Sequence, residues 1–343
     1  MASHSEFGKD TTATEVASVL GDSIKGRTVV LTGVSPASIG YTTALAIASQ
    51  GPVSLVLASR TPAKLDAVVR DIKKVYPSAV LHTVLLDLSS TTSIHAAAVS
   101  VAALAGHVDV LINNAGVSTP ERHPVTAPDG TELDTQFMTN HLGVFLWTAL
   151  LLPLLKAALS ARIVNISSQG HRLSPVRFSD YAFRRGLYDV PDAEKPAADL
   201  ASFFTSTVDG YAGFLGYGQS KSANILHAIE LSRRLSSTGI RSFSVHPGTI
   251  ETELSRSLDK EGQDTIAKTA PKGFWKTQDQ GAATTMVAAF DPALAEVDMA
   301  TTVGYLSDCQ LRDDMVGVHA QGKALATRLW TESERLLKYS VVI

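Results

Sequence analysis

A single cysteine, Cys309, stands in a chain of 343 residues. An intrachain disulfide is therefore impossible and a thiolate zinc cluster lacks ligands, which suits a reducing compartment. Neither sign of charge is in excess: 30 Lys plus Arg face 33 Asp plus Glu, a net charge of -3, so no overall field gathers nucleic acid or an anionic membrane. The histidines are scattered without metal-ligand spacing, and no metal is expected. The first residues carry His4, Glu6, Lys9, Asp10 and Glu15 with no early apolar run, unlike a secretory signal. The greasiest stretch, 144–155, is interrupted by Thr148 and Pro153 and falls short of the roughly 18 apolar residues of a membrane span. It reads as a buried helix, so no transmembrane span is expected. No internal repeat is evident. Soluble cytoplasmic residence is the expectation, with homo-oligomerisation left open.

What is present is enough apolar sequence to fill the core of one enlarged α/β domain, at 45% hydrophobic and 18% charged residues. Residues 1–25 read as an N-terminal arm and 26–343 as a single domain. Strands are expected over 28–31, 53–58, 79–86, 108–112, 162–166, 240–245 and 300–305. Helices are expected over 41–50, 62–74, 94–105, 132–158, 217–235, 280–290 and 322–338. The strands lack the polar alternation of a half-exposed antiparallel sheet, which predicts a doubly wound, mostly parallel Rossmann-type α/β sheet with helices on both faces. The segment 169–216 interrupts this alternation and is rich in aromatics, among them Phe178, Tyr181, Phe183, Tyr188, Phe203, Phe204, Tyr211 and Phe214. These rings either pack over an apolar ligand or hold the insertion together, and both readings stay open. The region after it is expected on the substrate side.

Chemistry-bearing residues gather at the expected strand ends. Gly33, Ser35, Ser38, Ile39 and Gly40 sit between the first strand and first helix, where small residues let a pyrophosphate approach backbone amides and the helix N-terminus favours its charge. A turn serving packing alone is the bland alternative. Arg60 follows the second strand, where a guanidinium pairs with a 2'-phosphate and so favours NADP(H) over NAD(H); a solvated loop charge is the other reading. Asp87 and Leu88 follow the third strand, with Asp87 a candidate acceptor for an adenine amino group. Asn113, Asn114, Ala115 and Gly116 follow the fourth as candidate cofactor wall, although such residues also stabilise strand ends. His246 reads as structural, since no spaced serine and acid accompany it. Tyr217-Gly218-Gln219-Ser220-Lys221 puts a phenol and an ammonium on one helix face, where the charge of Lys221 favours tyrosinate.

With these motifs in order, the chain resembles the short-chain dehydrogenase/reductase family, particularly its retinol-dehydrogenase-like and WW-domain-oxidoreductase-like members, though no WW module is evident. The resemblance spans about 26–338 and rests on the 32–40 turn, 113–116, Asn140, Ile166-Ser167-Ser168 and Tyr217 to Lys221. It implies an Asn140, Ser168, Tyr217, Lys221 tetrad: Ser168 on the substrate oxygen, Tyr217 as acid/base, Lys221 as activator and ribose ligand, and Asn140 supporting a water or proton path. Pro247, Gly248, Thr249, Ile250 and Thr252 are implied as a loop over the nicotinamide end. Two departures stand out. The glycine turn is one residue longer than the commonest form, with Ser38 where glycine is frequent, and the Ser168 to Tyr217 separation far exceeds the usual dozen or so. The implied reaction is NADP(H)-dependent interconversion of a carbonyl and an alcohol on a small molecule with a sizeable apolar body. The alternative class is a noncatalytic NADP-binding sensor or scaffold.

Overall fold

Strand β1, Thr28–Thr32, is buried along all five residues, and its neighbours extend from it on both sides. In this computed structural model, which describes residues 2–250 and 275–343, the further strands are β2 (Ser54–Ser59), β3 (Leu81–Leu85), β4 (Val110–Asn113), β5 (Pro124–Thr126), β6 (Glu132–Asp134), β7 (Arg162–Ile166), β8 (Arg241–His246), β9 (Thr249–Ile250), β10 (Trp275–Lys276), β11 (Tyr305–Ser307) and β12 (Gln310–Leu311). The main sheet has the order β12-β11-β8-β7-β4-β1-β2-β3, and its pairings are parallel except for β12 against β11. Val29 and Leu31 pack on one face and Val30 on the other. Both faces are covered, which is why the strands read as apolar runs.

One face carries α1 (Ala13–Val19), α3 (Ile39–Ala48) and the Gln278–Phe290 helix in mutual contact. The other carries α5 (Thr91–Leu104), α7 (Gly143–Lys156), α9 (Gly213–Arg234) and the C-terminal Lys323–Leu337 helix. Between these fall the short α2 (Gly21–Ile24), the flanking α4 (Pro62–Val75), α6 (Thr135–Phe137) and α8 (Ser202–Thr205). Ahead of α1, the Ser3 amide and hydroxyl donate to Asp291 at 2.7 and 2.6 Å, and Gln310 Nε2 donates to the His4 and Phe7 carbonyls. The 135–156 stretch is long and apolar enough to cross a membrane by composition, but its most apolar window is 78% buried inside the protein. It is a core helix.

Two expectations differ from the fold. Residues 132–134 form a strand rather than a helix start, paired with β5 across a turn at Asp129 and Gly130, whose φ is 94°. The Asp-Gly pair is the hairpin signal for this turn. The last parallel strand begins at Tyr305 and not at 300, because the Asp313 carboxylate takes the amides of Val303 and Tyr305 at 2.8 and 3.0 Å and Gly304 is left-handed at φ 75°. A second left-handed pair, Asp308 and Cys309, then reverses the chain into β12.

The C-terminal helix is fastened to α7 and α9 through buried imidazoles. His141 Nε2 pairs with Ser333 Oγ at 2.8 Å, and His227 stacks on Trp330 with centroids 6.0 Å apart. Burial holds His141 well below the usual range and pushes His227 down to about 3, against weaker opposition from Glu230. The unfolded chain therefore binds protons below its ordinary value of 6.5 that the folded chain refuses, so stability is full above that pH and falls as pH drops toward 3. Urea titrations from pH 7 to pH 5 are expected to show a loss of ~2 kcal/mol from His227 alone, and His227→Phe to flatten the slope. A pH-independent midpoint would contradict this.

Candidate active site

The carboxyl ends of β1 and β4, where the strand order turns back on itself, open into a cleft of about 1400 Å³. At one end the chain leaves β1 through Gly33 at φ 76°, whose Cα faces Ala115 so closely that a Cβ would overlap its backbone. Only glycine satisfies both demands. Within this turn Ala37 adopts a left-handed φ of 55°. Ser38 closes the turn: its Oγ accepts from the amides of Ser35 and Tyr41 at 3.2 and 3.1 Å and donates to the Ser35 carbonyl at 2.7 Å. Gln278 Nε2 donates to the Ala37 carbonyl at 2.7 Å. Asn114 Nδ2 bonds the carbonyls of Thr32 and Gly33, tying β1 to β4. The N-terminus of α3, with Ile39 and Gly40, thus faces the cleft.

Arg60 lines the same end beyond β2, with Lys64 one turn into α4. Asp87 and Leu88 line it beyond β3, and a Cβ on Gly143 would overlap the Leu88 carbonyl, which sets how closely α7 approaches. The Asp87 carboxylate accepts from the Ser89 amide and hydroxyl at 2.9 and 2.6 Å. Ala115 and Gly116 form the wall beyond β4, and Pro247, Gly248, Thr249 and Ile250 the wall beyond β8. Thr252 lies outside the described residues. Asn113 is not on the wall: it is buried, donating to Thr148 and Asn165 at 3.0 Å each, because the pleat turns it into the helix layer while its neighbour faces the cleft.

The chemical end is set by the seam between β7 and α9. The Ile166 carbonyl accepts from Lys221 Nζ at 2.9 Å and Asn224 Nδ2 at 3.0 Å, and Ser167 Oγ donates to the Lys221 carbonyl at 2.8 Å. This sets Ser168 beside the Tyr217 phenol, with the Gly170 amide donating to Ser168 Oγ at 3.1 Å. Lys221 Nζ lies 5.4 Å from the centre of the Tyr217 ring. Burial pushes the phenol up to about 12, opposed by the neighbouring Ser168 hydroxyl, and pulls Lys221 down to about 8. Burial is the largest influence on the phenol, and Lys221 Nζ sits against the ring face with its hydrogen bond directed to Ile166. At neutral pH Tyr217 holds its proton and Lys221 keeps its charge.

Asn140 sits on a π-helical turn, Met138–Leu142, inserted ahead of α7. Its Oδ1 accepts from the Val117 amide at 2.7 Å, and its Nδ2 donates to the Val117 carbonyl and Ser220 Oγ at 2.9 Å each. Both amide hydrogens are thus used inside the protein, and the side chain holds the 116–118 wall against α9.

A model of the short chain dehydrogenase family matches residues 27–182. Human retinol dehydrogenase 13 is 33% identical over 317 residues, covering 92% of this chain and 85% of that protein. The chain belongs to the short-chain dehydrogenase/reductase family. It is a nicotinamide-dependent oxidoreductase of that family. Oxidoreductase fscI of Fusarium equiseti is 32% identical, covering 71% of this chain and 94% of its own length. Among solved structures, the Pseudomonas aeruginosa RhlG/NADP active-site complex shares the fold, with a TM-score of 0.57 and 21% identity over 80% of this chain and 93% of that one.

Several members of this dehydrogenase/reductase's site were not singled out from the sequence. Ser167 and Ser220 stood inside the sequence motifs without a role, and they bond Lys221, Asn140 and Tyr217; Asn224, which carries no motif, donates to the Ile166 carbonyl. His246 lines the cleft while its Nδ1 accepts from the Gln169 amide at 3.2 Å, so the structural reading holds for its hydrogen bond and misses its place on the wall. Burial, aided by Lys276, pushes it down to about 4, leaving it neutral at pH 7. The aromatic insertion divides between its two open readings. Tyr181, Phe183 and Tyr211 are buried, with Tyr181 stacked on Phe137 at 5.0 Å, whereas Phe203, Phe204 and Phe214 line the cleft.

Gly170 is the least obvious of these residues. A Cβ there would lie 3.1 Å from two carbons of the Tyr217 ring and 3.4 Å from Ser168 Oγ, so any side chain presses on the phenol. Gly170→Ala is expected to lower turnover roughly tenfold through that displacement, with little change in melting temperature. Steady-state rates and a thermal melt on the same preparation check it; full activity would show that the phenol tolerates the methyl.

Proposed function

We propose that this enzyme is an NADP(H)-dependent reductase acting on a ketone or aldehyde carried by a sizeable apolar small molecule. The observation that carries the reading is that Ser168, Tyr217 and Lys221 line one cleft together, with Lys221 Nζ 5.4 Å from the centre of the Tyr217 ring. The donor set fits a nicotinamide dinucleotide along its length. The N-terminus of α3 and the Gly33 turn suit its pyrophosphate, Arg60 suits a 2'-phosphate, and Lys221, with three N–H donors, gives one to the Ile166 carbonyl. The RhlG neighbour, solved with NADP, adds support for this cofactor.

When bound, the dihydronicotinamide supplies hydride to the carbonyl carbon. Ser168 donates a hydrogen bond to the carbonyl oxygen as negative charge grows there, and Tyr217 delivers its proton to that oxygen. Lys221 stabilises the tyrosinate left behind, and Asn140 keeps the Val117 backbone and Ser220 from shifting as the charge moves. At pH 7 the phenol is protonated, the form that can donate to a developing alkoxide. Donors aimed at developing charge in a water-poor site lower the barrier, and losing one costs about 3 kcal/mol.

Tyr217→Phe keeps the ring and deletes the transferable proton, so carbonyl reduction is expected to fall by about 100-fold or more while NADPH affinity stays within a few-fold. Nicotinamide absorbance for turnover and fluorescence titration for binding separate the two, and retained turnover would remove Tyr217 from the chemistry. Arg60→Asp is expected to reverse cofactor preference toward NADH, read as the ratio of kcat/KM for the two cofactors. An unchanged ratio would reject Arg60 as the residue that selects the phosphate.

A further inference from the structure

Phe203 and Phe204 on α8 and Phe214 in the first turn of α9 meet at the cleft. Their centroids are 4.9 Å apart for Phe203 and Phe214, 5.4 Å for Phe203 and Phe204, and 5.6 Å for Phe204 and Phe214. The two pairs involving Phe204 stand edge to face, at 69° and 86°. All three rings are only half-buried and α8 buries none of its residues, while Phe183 and Tyr211 of the same insertion are fully covered.

The trio is therefore not what holds the insertion together. That work falls to the buried Arg177, which pairs with Asp180 at 2.6 Å and lies 4.4 Å over the Phe183 ring. It falls also to Gln136, whose Nε2 donates to Tyr211 Oη and the Gly213 carbonyl at 2.6 and 3.0 Å. Three phenyl rings left partly open beside one another retain apolar faces and edges for a ligand.

Position decides which ligand. Phe214 precedes Tyr217 by three residues on α9 and so lies on the same face, about 4.5 Å along the axis. A substrate whose carbonyl oxygen reaches the phenol lies in the same cleft that these rings line. A planar unsaturated ring meets both their edges and their faces with complementary quadrupoles, whereas a puckered saturated ring of equal size offers only area. We infer that Phe203, Phe204 and Phe214 form an aromatic clamp that selects carbonyl compounds whose reacting group is attached to a flat, unsaturated ring system. This deepens the carbonyl-reduction reading and rests on it for the orientation of the ligand.

The test compares 2-acetylnaphthalene with its decahydro counterpart on the full-length protein, by calorimetric binding with and without NADPH and by NADPH-coupled turnover. The wild type is expected to bind the naphthyl ketone about tenfold more tightly, with that preference mostly lost in both Phe203→Leu and Phe214→Leu, whose apolar bulk preserves folding as checked by thermal melting. Equal affinity for the two ketones in the wild type, or undiminished preference in both variants, overturns the clamp. Selective binding of the naphthyl ketone without NADPH oxidation supports the aromatic preference and rejects carbonyl reduction.

Discussion

The Ile166 carbonyl is the point on which the site depends. It ends β7, and two side chains from successive turns of α9, Lys221 and Asn224, both donate to it. A strand end and a helix face are thereby locked in one register, with Ser167 closing the seam from the strand side. Every distance that matters chemically follows: Ser168 lies two residues past the anchor on the strand, and Tyr217 lies four residues before Lys221 on the helix. The buried ammonium gives up hydration to make this bond, and burial draws it down to about 8 as a result. Its structural and electrostatic roles are the same contact. Moving Lys221 would unsettle the seam as well as the field.

The long connection between Ser168 and Tyr217 has to leave that register untouched, and it does so by folding onto itself before it returns. Arg177 is buried against Asp180 and Phe183, its amide donates to Gln219 Oε1 on α9 at 2.9 Å, and the Ser179 amide and hydroxyl donate to Glu194. A buried charge pair of this kind adds little net stability, yet removing one partner strands the other without water. Fastened this way on the far side of α9, it can present three aromatic rings to the cleft without pulling on Tyr217.

The sequence showed the sheet well because each buried strand must be apolar on both faces, and it showed the tetrad well because its members stand at strand ends or at helical spacing. What escaped it was local chemistry carried by single polar groups. The Asp313 carboxylate displaces β11 by capping two amides, and no periodicity reports a cap ten residues away. Asn113 and Asn114 are adjacent in sequence and serve opposite sides of one strand end, which a motif cannot apportion. Gly170 looks like any loop glycine until the ring it lies against is known.

The electrostatics carry a similar lesson about direction. Tyrosine and lysine four residues apart on a helix suggest an ammonium acting directly on a phenol oxygen, but here Nζ lies over the ring and spends a hydrogen bond on Ile166. Burial then dominates, and it raises the phenol while lowering the amine. The consequence is a donor that keeps its proton until a stronger acceptor arrives, with the Ser168 hydroxyl beside it. An alkoxide forming beside that phenol is such an acceptor, and the fixed charge of Lys221 lowers the cost of the tyrosinate that remains. The resting site is therefore arranged for the instant of charge development and not for the empty cleft.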